Sequence, residues 1–394
     1  MRLGRYLELL RTPGVARLVL FTLMGRFSFG VLPLSIVLLM RREDYDYGQI
    51  GAVLGAEALA VGVTAVFVGR LIDRIGQAPV LLTAGAITAL AIVGAAAAIV
   101  SGAPVALLVP IAAVQGASVP PVSASMRALW ASLVPEESLD VAYAFDSIAL
   151  ELVFIVGPLV AAGLATAWTP LAGMLLCAGL YSGAALGFAR APASRAWRPA
   201  ESVARTRAGA LGSLGMRTLV VATAIVAINF GVLEVALTAF AEEEGSRGAV
   251  GPLVTVWAIG SVIGGLAYGA RSWSAPPARR FLVLTALLGL GAVPLPFADS
   301  LIAMAAFLFV TGLALAPLGA TEYALIGSLA PEGTVTEAYS WQIVANVTGS
   351  AAGAFLAGLL VEQASVDWAL ASASIACGLG LLVALAGRRS FAQA

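Results

Sequence analysis

Ionisable side chains stand inside several long apolar stretches of this sequence. The chain has no histidine and all 22 of its cationic side chains are arginines, so carboxyl groups are the side chains best able to exchange protons near neutral pH. An arginine beside such a carboxyl group can form an ion pair or bind an anion. The residues concerned are Arg26, Glu57, Arg127, Asp146, Glu151, Glu234 and Glu322.

The composition indicates which class of protein has to position these groups. Hydrophobic residues make up 60% of the chain and charged residues 11%, and the mean hydropathy is +0.97. Soluble domains have about half apolar and a quarter charged residues, so the sequence predicts an integral membrane protein. The formal net charge is zero, which gives no indication of nucleic-acid binding.

Membrane-spanning helices need about 20 apolar residues, because every backbone polar group must be satisfied within the helix. Segments of this kind occur twelve times, which predicts an all-α membrane protein with twelve transmembrane helices. They lie at about 17–40, 48–68, 79–101, 104–128, 141–166, 168–190, 217–240, 249–270, 281–298, 301–326, 338–361 and 366–387.

The arginines predict the orientation of these spans. With both termini in the cytoplasm, Arg41, Arg42 and Arg247 lie outside and most other loop arginines lie inside, as the positive-inside rule requires. A polar stretch at 191–216 carries four arginines and indicates a cytoplasmic linker. We therefore expect two six-helix bundles, at 1–190 and 217–394.

The two predicted bundles share an internal repeat. A shift of 196 positions sets "PVSASMRALWASLVPEESLDVAY" (121–143) over "PLGATEYALIGSLAPEGTVTEAY" (317–339), and identical polar residues coincide in the loop. A parallel repeat of this kind is typical of transporters whose halves rock about a site near the middle of the membrane.

A short motif between the second and third spans connects the chain to a known family. "GRLIDRIGQ" (69–77) resembles the signature loop of the major facilitator superfamily, although Gln77 and Ala78 replace its basic pair. The resemblance implies the superfamily's fold of two pseudo-symmetric six-helix bundles and a role in secondary transport. The matching residues are Gly69, Leu71, Asp73, Arg74 and Gly76.

The chemistry of this loop predicts a gating role for it. Gly69 permits close approach of another backbone, Asp73 can face the N-terminus of a neighbouring helix, and Arg74 can pair with acids. In the fifth span, "VGPLVAAG" (156–163) resembles the family's antiporter motif. There, Gly157 and Pro158 fit a packing kink as well as an antiport determinant.

The depth of each charged group suggests its partner. Arg26, Glu57 and Glu151 all lie about 13–17 Å from the cytoplasmic ends of their spans. The superfamily's fold places the first and fifth spans side by side, which makes Arg26 and Glu151 the expected pair and Glu57 a third member. Three roles stay open for the pair: proton coupling, a permanent structural ion pair, and binding of an anionic substrate by Arg26.

Further polar groups fall at matching depths in other spans. Arg127 and Asp146 are expected to form a structural or gating bridge, and Glu234, near Asn229, is a second candidate for protonation. In the second half Glu322, Gln342 and Asn346 are expected to form a polar patch. The expected cavity residues are Arg26, Gln115, Asn229, Glu322, Gln342 and Asn346.

Together these features predict a secondary active transporter. We expect proton-coupled export of a small amphipathic or drug-like compound by a monomer in a prokaryotic plasma membrane. The alternatives are transport of a polar metabolite, sugar or organic anion, and a non-transporting membrane sensor. No catalytic constellation, metal site or cofactor motif is recognisable, so the sequence does not predict an enzyme.

Overall fold

The structure, a computed structural model, describes residues 4–197 and 208–393, and this part of the chain is helical throughout its regular elements. The predicted linker, 191–216, is described only at its two ends, and its arginines Arg198, Arg205 and Arg207 lie outside the described residues. The division of the chain into 1–190 and 217–394 therefore stays a prediction.

Helices of the first half follow one another with short connections. They are α1 (Gly4–Arg11), α2 (Val15–Arg42), α3 (Tyr47–Ile75), α4 (Gln77–Val100), α5 (Val105–Ala117), α6 (Val122–Leu133), α7 (Leu139–Ala167), α8 (Pro170–Ala189) and α9 (Pro192–Ala196). A short 3-10 turn, Glu136–Ser138, precedes α7.

The second half has the same plan. Its helices are α10 (Leu214–Glu243), α11 (Val250–Gly269), α12 (Pro277–Ala292), α13 (Leu301–Gly312), α14 (Leu315–Leu329), α15 (Val335–Gln363) and α16 (Val366–Ala386), with 3-10 turns at Gly209–Gly212, Arg247–Ala249, Leu295–Phe297 and Arg388–Gln393.

Twelve candidate membrane spans are present in the described residues, which confirms the predicted number. The fourth span is broken between α5 and α6, and the tenth between α13 and α14. These breaks occupy equivalent places in the repeat, where Pro121 corresponds to Pro317. A proline has no backbone N–H and clashes with the preceding helical turn, which explains a break beside each of them.

Local signals in the sequence set the ends of α3. Asp46 and Gln49 form a capping box in which Asp46 Oδ1 accepts from the Gln49 backbone N–H at 2.8 Å and Gln49 Oε1 accepts from the Asp46 N–H at 3.0 Å. At the other end Gly76 has φ +94°, a conformation that favours glycine. The motif residue Gly76 thereby turns the chain straight into α4.

The apolar core shows how the two halves meet. One cluster of buried residues combines both halves near the face that carries the two termini, which we call the terminal face; it includes Trp130 and Tyr323. Two other clusters, around Leu39 and Leu370, each belong to a single half and lie towards the opposite face. The halves therefore pack together at the terminal face and separate beyond it.

Candidate functional site

A cavity of about 1640 Å³ lies between the two halves. Its walls come from both bundles, and it reaches Gly251 and Pro252 at the start of α11, on the face opposite the termini. Arg127 and Tyr323 lie at its floor, next to the core cluster that joins the halves. The cavity is therefore open away from the terminal face, which the sequence predicts to be cytoplasmic.

Arg26 is almost fully buried at this floor, with 2% of its surface exposed. Its Nη2 atom donates to Asp146 Oδ1 at 2.5 Å, its Nη1 atom to the Asp146 carbonyl oxygen at 3.0 Å, and its Nε atom to Ser123 Oγ at 2.9 Å. The predicted ion pair of Arg26 with Glu151 is therefore wrong. Glu151 lies five residues beyond Asp146, which turns it by about 140° around α7.

Arg127 binds the other oxygen of the same carboxyl group. Its Nε atom donates to Asp146 Oδ2 at 2.8 Å, which confirms the predicted contact of these two residues. Its Nη2 atom donates to Tyr323 Oη at 2.8 Å, and the guanidinium carbon lies 3.8 Å from the centre of the Tyr323 ring. One buried carboxylate thus holds two arginines, and one of them reaches across to the second half.

The polar patch predicted in the second half is present and continues this network. Gln342 Oε1 accepts from Arg127 Nη1 at 3.4 Å, and Gln342 Nε2 donates to Glu322 Oε2 at 3.3 Å. Thr223 Oγ1 donates to Glu322 Oε1 at 2.6 Å, and Asn346 Nδ2 donates to the Gln342 carbonyl oxygen at 2.9 Å. A continuous polar network therefore crosses the cavity floor between the halves.

Of three polar residues in the first half that were expected near the site, one lines the cavity and two lie outside its described lining. Glu151 lines the cavity and lies near Ser261 of α11. Glu57 accepts from Gln115 Nε2 at 2.9 Å, so the prediction that it joins Arg26 is wrong. Gln115 is only 2% exposed and lies outside the described cavity lining, because its side chain turns towards α3.

Glu234 and Asn229 have different surroundings, although both lie on α10. Glu234 lines the cavity and is exposed. Asn229 is fully buried, its amide forms no hydrogen bond with the described residues, and it lies outside the described cavity lining. The prediction of Asn229 as a cavity residue is wrong, because a separation of five residues turns two side chains about 140° apart on a helix.

The signature loop closes the terminal face on one side. Asp73 accepts from the backbone N–H groups of Thr336 at 3.2 Å and Glu337 at 2.8 Å, at the N-terminus of α15. A Cβ atom on Gly69 would lie 3.0 Å from the Glu337 Cα atom, so this glycine permits the close approach. The predicted roles of Asp73 and Gly69 in joining the halves have this geometric support.

The basic member of this closure is not the predicted one. Arg70 Nη2 lies 2.9 Å from Glu337 Oε1, whereas Arg74 is exposed. Arg70 precedes Asp73 by three residues and so lies on the same side of α3. Arg74 follows Asp73 directly and points elsewhere. We call these contacts of Gly69, Arg70 and Asp73 the Asp73 closure.

A second closure of the terminal face lies between α11 and α7. Tyr6 Oη, on α1, donates to the Gly265 carbonyl oxygen at 3.0 Å, and Arg5 Nη2 donates to the Glu137 carbonyl oxygen at 2.9 Å. Arg280 Nη1 forms an ion pair with Asp140 Oδ1 at 2.7 Å. These contacts, which we call the Tyr6 closure, were not predicted from the sequence.

Two tyrosine contacts at the floor could have been found from the repeat. Tyr143 Oη lies 3.2 Å from Tyr339 Oη, and Arg127 contacts Tyr323; in both pairs the partners are 196 positions apart. Residues near a pseudo-two-fold axis meet their own counterparts, so the repeat offset itself predicts such contacts.

The fifth-span motif acts in packing. A Cβ atom on Gly157 would lie 2.5 Å from the Gly30 Cα atom, so α7 and α2 cross here with their backbones in contact. Pro158 follows directly and lines the cavity. The packing role of Gly157 is visible in this geometry, and an antiport role for the motif stays a prediction.

Comparison with known families decides what this architecture is. The model of the Major Facilitator Superfamily matches residues 18–218 and 219–392. The chain belongs to this superfamily. The two matches correspond to the two halves, and the resemblance of the signature loop is confirmed. No curated protein matches the chain significantly.

Solved structures of superfamily transporters share the fold. The human organic anion transporter MFSD10 (TETRAN) has a TM-score of 0.76 at 16% identity, over 94% of this chain and 98% of that one. A bacterial homologue of the iron transporter ferroportin, in its outward-facing state, has 0.74 at 15%, over 95% and 99%. A variant of the E. coli fucose:proton symporter FucP has 0.76 at 12%, over 96% and 99%.

Membership in the superfamily establishes the general activity. The chain is a membrane transporter for a small-molecule substrate and not an enzyme. The twelve spans and the two halves are those of the superfamily's fold, as predicted. The described structure corresponds to the state in which the cavity is closed at the terminal face.

Proposed function

We propose that this superfamily member exports small amphipathic or drug-like compounds in exchange for protons by alternating access. The observation that supports this function best is a large cavity with mainly apolar walls that contains Glu151, a carboxyl group without an arginine partner in the described chain. We place the protein, as a monomer, in a prokaryotic plasma membrane with the terminal face inside.

The cavity walls suit an amphipathic compound better than a sugar. Apolar side chains such as Phe154, Leu159 and Val347 supply most of the lining, and the amide groups in it come from Gln342 and Asn346. Both amides already bond to neighbouring groups. A sugar needs hydrogen bonds that replace its hydration, because unpaired polar groups are costly to bury.

Glu151 is placed where the movement of the two halves would change its surroundings. It belongs to α7 of the first half, and the nearby Ser261 belongs to α11 of the second half. Ser261 Oγ also accepts from the Ala316 backbone N–H at 3.1 Å, which fixes the hydroxyl group. A rocking movement would separate Glu151 from this hydroxyl group, and a change of protonation could accompany it.

Replacement of Glu151 tests the proposal. In proteoliposomes with an imposed pH gradient, we expect Glu151→Gln to lower gradient-driven ethidium transport at least about tenfold, because the side chain can no longer carry a proton. Ethidium binding to the purified variant should remain measurable. The matched control is Glu57→Gln, which changes a carboxyl group outside the described cavity lining and should retain most of the transport. Full gradient-driven transport by Glu151→Gln would contradict the proposed role.

Organic-anion transport is a second candidate. Arg26 and Arg127 line the cavity floor, and a guanidinium group can bind a carboxylate. One solved structure with the same fold is an organic anion transporter. This candidate has weaker support, because every nitrogen atom of both guanidinium groups already donates to a protein oxygen.

A further inference from the structure

An aromatic pair and a carboxyl group lie together in the wall of the second half. Phe230 and Glu234 are one turn apart on α10, and both line the cavity. Trp257 of α11 also lines it, with its ring centre 5.8 Å from that of Phe230 and the ring planes at 37°. This part of the wall therefore combines two aromatic rings and an acidic side chain.

The position of Trp257 is fixed by packing. A Cβ atom on Gly312 would lie 3.1 Å from Trp257 Cδ1, so the glycine at this position makes room for the indole ring. The indole nitrogen forms no hydrogen bond with the described residues. The ring is thus held against Phe230 and Gly312 by shape, and the cavity meets its apolar surface.

The charges around the cavity are unequal. Among the described residues, two arginines and four carboxyl groups lie in its wall or directly behind its floor: Arg26, Arg127, Asp146, Glu151, Glu234 and Glu322. Both arginines bind Asp146, and Glu322 accepts hydrogen bonds from Thr223 and Gln342. Glu151 and Glu234 have no cationic partner in the described part of the chain, so the described cavity has an excess of negative charge when its acids are ionised.

A carboxylate beside aromatic faces is an arrangement that recognises cations. The ring faces carry negative electrostatic potential and attract an ammonium group, and the carboxylate adds direct charge attraction. We infer that Glu234, Phe230 and Trp257 form a binding subsite for the cationic centre of an amphipathic substrate, such as an alkylammonium or phosphonium group. The inference rests on the proposed export function and specifies its substrate class.

In this arrangement Glu234 and Glu151 have different tasks, namely binding of the cation and exchange of the proton. Glu234 is exposed to the cavity and lies about 20 residues along α10 from the terminal face, whereas Glu151 contacts Ser261 closer to the floor. Glu234 would hold the substrate's charge while Glu151 exchanges the proton. Binding of a cation then depends on Glu234 without any pH gradient, which allows the two tasks to be tested apart.

Binding of two isosteric ions of opposite charge tests the subsite. Tetraphenylphosphonium and tetraphenylborate have nearly the same shape, so a difference in their affinity for the purified protein measures charge selectivity. We expect tighter binding of tetraphenylphosphonium and a loss of about tenfold or more in Glu234→Gln. Trp257→Leu and Phe230→Leu should each weaken it by roughly 3- to 10-fold through the lost ring faces. The matched control is Glu243→Gln, an exposed acid at the end of the same helix, which should change nothing.

The outcomes distinguish the subsite from the proposed export function. Glu234→Asp keeps the charge and should recover part of the phosphonium affinity lost in Glu234→Gln, which a merely misfolded variant would not do. Unchanged phosphonium affinity in Glu234→Gln, or tighter binding of tetraphenylborate than of tetraphenylphosphonium by the unmodified protein, would overturn the inference. Phosphonium binding through Glu234 together with normal gradient-driven transport in Glu151→Gln would keep the subsite and reject the proton role.

Discussion

The two closures of the terminal face occupy equivalent places in the repeat but use different chemistry. In the Asp73 closure, a carboxylate of the first half accepts two backbone N–H groups at the start of α15. The position equivalent to Asp73 in the second half is Gly269, 196 residues later. There the Tyr6 closure uses a phenol hydroxyl from α1 and the ion pair of Arg280 with Asp140.

The two halves of this pseudo-symmetric fold therefore close the terminal face through different contacts on its two sides. The Asp73 closure belongs to the repeated helices, and the partial positive charge of a helix N-terminus strengthens its hydrogen bonds. The Tyr6 closure depends on a residue of α1, which precedes the first repeated span. A Cβ atom on Gly269 would meet the Tyr6 hydroxyl group, so the absence of a side chain there makes room for α1. We therefore expect the two closures to differ in strength and in sensitivity to salt.

The largest effect should come from Asp73→Asn. The amide lacks the negative charge that the helix N-terminus stabilises, and it keeps one good acceptor for two N–H groups, so we expect the closed state to lose about 2–3 kcal/mol. The ratio of open to closed terminal faces should rise by roughly 30- to 150-fold. Spin labels at the exposed positions Ile75 and Glu332 would report the two populations as two distances.

A control within the same loop sharpens this test. Arg74→Gln changes the motif's other charged residue, which is exposed, and should leave the two populations within about twofold. Shifts of similar size and opposite direction in Asp73→Asn and Arg74→Gln would show that the loop acts through its net charge and not through the two backbone contacts.

A smaller effect is expected from Arg280→Gln in the other closure. Asp140 is 21% exposed, so solvent weakens its attraction to Arg280 and the loss should be about 1–2 kcal/mol. Labels at the exposed positions Glu136 and Arg271 would follow this side of the face. The neighbouring Arg279→Gln, also exposed, is the control.

Salt distinguishes the ion pair from a purely structural defect. Raising the salt concentration from 0.1 to 1 M (about 10 to 3 Å Debye length) should open the unmodified Tyr6 closure and have little further effect in Arg280→Gln. Arg70→Gln removes the ion pair with Glu337, whose arginine is 33% exposed. In that variant the Asp73 closure depends on the carboxylate of Asp73, which is 3% exposed, and should respond less to salt than the Tyr6 closure. An equal response of both closures would contradict the proposed difference in chemistry.

The sequence predicts the spans and the Asp73 closure because both depend on patterns along the chain. Hydropathy identifies each span, and the glycine and aspartate spacing of the loop identifies an acid that can cap a helix. The depth of a residue within its span also follows from the sequence, and the predicted contact of Arg127 with Asp146 is correct for this reason. Depth does not show how each helix is rotated about its own axis. The predicted pair of Arg26 and Glu151 is wrong for this reason, because Asp146 is the acid that faces Arg26.

The Tyr6 closure could not be predicted for a different reason. The Tyr6 hydroxyl donates to a backbone carbonyl 259 residues away. Every residue has a backbone carbonyl, so the sequence does not indicate which one accepts this hydrogen bond. The sequence also does not show which residues line the cavity, because Asn229 and Glu234 lie on the same helix and differ in the direction in which their side chains point. The tyrosine pair Tyr143 and Tyr339 is the exception, since the repeat offset alone places these residues opposite each other.

The smallest effect in this comparison should come from Tyr6→Phe. Burial raises the pKa of Tyr6 to about 12, so its phenol is neutral at physiological pH and donates a single uncharged hydrogen bond. Removing one such bond costs about 0.5–1.5 kcal/mol, which corresponds to a roughly 2- to 10-fold rise in open Tyr6 closures between the labels at Glu136 and Arg271. The labels at Ile75 and Glu332 should show the same shift if the halves rock as rigid bodies. A shift confined to the Tyr6 side would instead mean that this side opens by itself, and that the Asp73 closure is sufficient to keep its own side of the terminal face closed.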